Sequence, residues 1–146
     1  MLQVITSAFR TLPRRDADTY LHVMRYALPI ALVMLVFGLA HAFGLTGLLG
    51  AHPFWAGQVL WVGAPLGVVL AFALWITPLS ALVRTISLGV LTLCAMALAH
   101  LGKTRFVASY AEDVLAGQIW YLGWIATCVF AAACVASSTL KTRRSL

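Results

Sequence analysis

Between Trp55 and Leu101 the chain is apolar at almost every position, with one break at Thr77-Pro78-Leu79-Ser80 and one strong charge, Arg84. A helix needs about 20 apolar residues to cross a ~30 Å hydrocarbon core, and each side of the break is that long. The pattern predicts two antiparallel membrane-spanning helices, 55–76 and 79–101. Thr77 would cap the second, with Pro78 at its first helical position, and the pair would form the packing core. Two further apolar stretches, 21–43 and 114–137, flank this hairpin. The chain therefore reads as an all-α integral membrane four-helix bundle.

Within these spans, small residues recur at helical spacing. Gly63-x-x-x-Gly67-x-x-x-Ala71 forms a stripe on one face of the second span, and Gly123, Thr127 and Ala131 form another on the fourth. Gly38 and Ala42 offer a similar face on the first. Such stripes let helix backbones approach closely in lipid. Pro65 lacks the amide that would bond the carbonyl of Trp61, so a kink is expected there. Trp55 and Trp61 mark one membrane interface and Trp75 the other. The glycine-rich segment 44–54 and the polar segment 102–113 read as loops at one end. Residues 1–20 read as a basic, amphipathic cytoplasmic segment rather than a cleavable signal, with Asp16 or Asp18 capping the helix that follows. Residues 141–146 form a basic cytoplasmic tail.

Composition agrees with this pattern. Of 146 residues, 62% are hydrophobic and only 10% charged, against about 25% charged in soluble domains. The net charge of +6 is concentrated at the chain ends and the central turn. Without aromatic residues interleaved among the bases, nucleic acid is not an expected partner; membrane lipids are. Arg10, Arg14, Arg15, Arg25, Arg84, Lys141, Arg143 and Arg144 fall on one side of the membrane, with Lys103 and Arg105 on the other. The positive-inside rule places both termini in the cytoplasm. Cys94, Cys128 and Cys134 all lie in apolar stretches and read as packing residues, with no zinc or disulfide spacing.

The predicted topology brings three histidines to one leaflet: His41, His52 and His100. Imidazoles at membrane depth can hydrogen-bond a quinone carbonyl or ligate haem or copper. Their position at helix ends suits interfacial, structural histidines; as a ligand it favours a quinone or other small molecule over haem or copper, and no metal site is assigned. Arg25 and Arg84 share the cytoplasmic edge, where they can snorkel to anionic lipid headgroups or hold an anionic substrate. No acidic residue lies within a span, and no nucleotide loop, Ser-His-Asp set or H-E-x-x-H motif is present. Catalysis by this chain alone is not expected.

Arg25 opening the first span, Phe37-Gly38-Leu39-Ala40-His41 closing it, the glycine-rich loop and the Thr77–Ser80 turn together resemble the DoxX-like superfamily of four-helix inner-membrane proteins, in its YkgB-type branch. Members often carry a lysine where His41 stands, and an acidic residue where this chain reads Gly63-Ala64-Pro65. The resemblance implies an accessory protein, acting as a subunit or partner in a redox or envelope-stress system. The residues themselves leave two alternatives open: a structural or assembly subunit whose small-residue stripes dock other membrane subunits or further copies, and a small exporter or permease.

Overall fold

The structure, a computed structural model, describes residues 14–140, with side chains from residue 23 onward. Its elements are α1 (Arg14–Ala42), the single turn α2 (Leu45–Leu48), α3 (Ala56–Trp75), α4 (Ala81–Ala108) and α5 (Val114–Thr139). All but α2 are long and apolar enough to cross a membrane. Helices are the form such segments take in lipid, because a helix bonds its backbone groups within the segment. The whole of the 1–20 segment and of 141–146 lies outside the described side chains. Asp16 and Asp18 fall inside α1 rather than ahead of it.

The ends of the helices show how the sequence terminates each one. Thr77 does not cap α4. Its hydroxyl turns back to donate to the Leu74 carbonyl at the end of α3, 2.5 Å away. Ser80 takes the capping role, its Oγ accepting from the Val83 amide at 3.2 Å. Asp113 caps α5, its carboxylate accepting from the Ala116 amide at 2.9 Å, and its negative charge complements the helix dipole. The α4–α5 turn carries two consecutive residues in the left-handed region, Tyr110 (φ 55°) and Ala111 (φ 69°). The carbonyl-rich end of α5 is closed by the Ser138 and Thr139 hydroxyls, which donate to the Val135 and Ala136 carbonyls.

Two expectations are corrected. The polar segment after His100 is not a loop: α4 runs to Ala108, seven residues beyond Leu101. Gly102 does not stop it because its missing side chain is a packing feature. A Cβ there would lie 2.6 Å from the Trp120 amide nitrogen and 2.9 Å from the Ala116 carbonyl oxygen. Second, the α3–α4 hairpin is not the core. These two helices make at most marginal contact with each other, while α5 packs against α4, α3 and α1.

Small residues explain why α5 holds the centre. A side chain at Gly63 would overlap Cys128, and one at Gly67 would meet Ala132 Cβ at 2.5 Å and the Ala133 amide at 2.9 Å. The Gly63–Gly67–Ala71 stripe of α3 thus receives the backbone of α5. On the opposite side, a Cβ at Gly123 would meet the Ala99 Cα and Cβ at 2.9 Å, so α4 and α5 also approach backbone to backbone. Of the other expected stripe residues on α5, Thr127 is buried and Ala131 half-buried. Ala132, Ala133, Ala136 and Ser137 are fully enclosed. Cys134 donates its Sγ–H to the Thr85 carbonyl at 3.4 Å, and Cys128 lies buried against Gly63. Gly38 has open space around it and makes no close seam.

Candidate functional site

Two polar regions stand at opposite ends of the bundle. Arg25 near the start of α1 lies against Trp75 at the end of α3, and Arg84 near the start of α4 bonds Leu140 at the end of α5. These contacts define a terminal end. The segment 43–55 and the α4–α5 turn define a loop end.

The loop end is built around Trp120. Its indole N–H donates to the Gly50 carbonyl at 3.2 Å, joining α5 to a loop seventy residues earlier. Gly50 has φ 107°, a conformation that favours glycine. A Cβ there would also lie 3.0 Å from His100 Cε1 and 3.3 Å from Lys103 Nζ. The buried Thr46 fixes the same loop to α3, donating its hydroxyl to the Ala56 carbonyl at 2.8 Å. Around Trp120 the rings of Trp55, His52 and Phe106 stand with centroids 5.4, 5.7 and 5.9 Å away. Trp55 continues to Tyr121 at 5.2 Å. Lys103 Nζ lies 5.9 Å from the Trp120 ring centroid, within cation–π range.

The three expected histidines reach this end but do not form one site. His52 stacks on Trp55 at 6.1 Å and meets Trp120 edge-on. Its Nδ1 accepts from the Phe54 amide at 3.2 Å, which in the neutral ring leaves the proton on Nε2. His100 meets Trp124 edge-on at 6.1 Å and adjoins Gly50. His41 instead packs edge-on to Trp61 at 5.6 Å and over Gly57. All three rings belong to exposed residues. Among the described residues, no three His, Cys, Asp or Glu side chains gather in a group able to hold a metal ion. The cluster sets aromatic edges and faces beside two exposed imidazoles, His52 and His100. The sequence pattern singles out neither Gly50 nor Phe106, and Lys103 enters it only as a charge. The overrun of α4 past Gly102 is what brings Lys103 and Phe106 to Trp120.

At the terminal end the arginines do not simply reach outward. Arg25 is half-buried, its guanidinium carbon 5.0 Å from the Trp75 ring centroid, and Tyr26 flanks the same ring at 5.9 Å. Arg84 is turned into the bundle. It is 2% exposed, and its Nη2 donates to the Leu140 carbonyl at 2.6 Å. The expected snorkelling of Arg84 is thus replaced by a cap on the C-terminus of α5, where a cation suits the dipole.

These features define the class: a multi-pass integral membrane protein with four spanning helices organised on the last of them. No family model, curated protein or solved structure matches the chain.

Proposed function

We propose that this is a DoxX-like accessory protein of the bacterial-type inner membrane, with both termini cytoplasmic. It would serve a redox or envelope-stress system by holding a quinone-type ring at its loop end. The observation that carries the reading is the exposed His52 ring, stacked on Trp55 beside Trp120 and presenting Nε2 as a donor. A quinone carbonyl is an acceptor, and its ring suits the aromatic surround. His100, across Gly50, offers a second contact. The resemblance to the DoxX-like proteins and the uneven spread of Arg and Lys along the sequence support the remainder.

An assembly role gains nothing from the stripe on α3, because α5 already fills it. The test is a lipid extract of the protein purified in mild detergent. Quinone should co-extract with wild type and His41→Ala and be depleted in His52→Ala and His100→Ala. Equal quinone in all four, or none in well-folded wild type, would remove the proposed site.

A further inference from the structure

The terminal end holds a second set of polar atoms that the quinone reading does not use. Arg84 spends one guanidinium nitrogen on Leu140. Its Nε and Nη1 are both buried and without a hydrogen-bond partner. Ser137 stands one turn before Leu140 on the same helix, is 0% exposed, and its Oγ is likewise unpartnered. Arg25, at the same end, has a buried Nη2 with no partner. Of the residues with described side chains, the acids are Glu112 and Asp113, and both lie at the loop end.

A buried guanidinium with unspent donors and no counter-charge among the described side chains is costly unless an anion meets it. A fork of N–H donors, with a buried unpartnered hydroxyl three residues before the carbonyl it caps, matches an acceptor with several oxygens better than a monatomic ion. The place is a membrane edge, where the phosphates of lipid headgroups lie. We propose that Arg84 and Ser137, with Arg25 on the same rim, form a binding site for a phosphate-type oxyanion at the terminal end. The phosphate is that of an anionic phospholipid or a free one; the chemistry at Arg84 is shared. Arg84 then has two tasks: Nη2 closes α5, and Nε with Nη1 grips the anion.

The test uses delipidated full-length protein in phosphate-free detergent. It is titrated with phosphatidylglycerol, phosphatidylcholine or sodium phosphate, with sodium chloride as the ionic-strength control. Native mass spectrometry counts retained lipid, and circular dichroism follows thermal unfolding. Wild type should retain one phosphatidylglycerol per chain in preference to phosphatidylcholine, or be stabilised by sodium phosphate at concentrations where chloride has no effect. The first outcome identifies the headgroup as the source and the second a free phosphate. Arg84→Gln should weaken binding by roughly tenfold or more, the effect of losing charge-assisted hydrogen bonds. Arg84→Lys should fall between, keeping charge without the fork. If Arg84→Gln fails to fold, Ser137→Ala carries the test, since it keeps the α5 cap and should still weaken binding. Folded wild type that responds to neither probe, or variants that bind as well as wild type, would overturn the site. The histidine variants should leave this binding unchanged.

Discussion

α5 and α1 are both long apolar helices, yet they join the molecule by opposite means. α5 inserts its backbone into gaps left by glycine: Gly63 and Gly67 on one side, Gly102 on the other, while its own Gly123 admits Ala99. α1 instead lays Val33, Phe37 and Tyr26 against its neighbours, while Met24, Leu28, Met34 and Leu35 remain over half exposed. Its one mid-helix glycine, Gly38, faces open space. Lipid tails are as apolar as these side chains, so burial alone gives helices little reason to associate; close backbone approach does. The contrast teaches where the molecule is brittle. A seam made from absent side chains tolerates no addition, and a seam made from large ones can repack.

Substitutions at the glycines test this contrast directly. Gly67→Leu should be the most damaging, destabilising by about 3 kcal/mol or more because the new side chain meets α5 backbone that cannot yield. Loss of helical signal in a detergent-denaturation series measures it. If Gly38→Leu proves as harmful, the distinction between the two helices is lost. Gly102→Val should cost about 2 kcal/mol in the same assay, since the Trp120 amide and Ala116 carbonyl stand in its way.

The turn between α4 and α5 allows smaller tests of how α5 is held. Asp113→Ala removes the cap on Ala116 and should cost about 1 kcal/mol. Ala111→Gly should act in the other direction, stabilising by up to about 1 kcal/mol by relieving a left-handed alanine. Gly38→Ala should stay within about 0.5 kcal/mol of wild type. A larger loss there would mean that α1 also relies on a close seam.

The spans were legible because lipid imposes them: length, apolarity and the Thr77–Ser80 break are local properties. The partner of each span was not. The stripe through Gly63 and Gly67 announces a close contact but carries no label for its occupant, and adjacency in the chain pointed to α4 where α5 sits. The end of α4 was misread for a related reason. Gly102 followed by Lys103 looks like a helix stop, and only its proximity to the Trp120 backbone makes it an interior position. Grouping three histidines at one end was likewise within reach. Separating His41 from the other two was not, since that depends on how α1 is rotated against α3. The inward turn of Arg84 depends on where α5 ends, which no pattern around residue 84 encodes.

The central place of α5 also has a consequence for biosynthesis. A ribosome delivers α1, α3 and α4 to the membrane before the helix that joins them exists. At roughly 5–20 residues per second, several seconds separate the emergence of α3 from that of α5. During that interval the glycine faces of α3 and α4 meet lipid or the insertion machinery, because the two helices have little to offer each other. Assembly of α1, α3 and α4 therefore waits on α5, and the nascent chain is most vulnerable to quality-control proteases before α5 emerges.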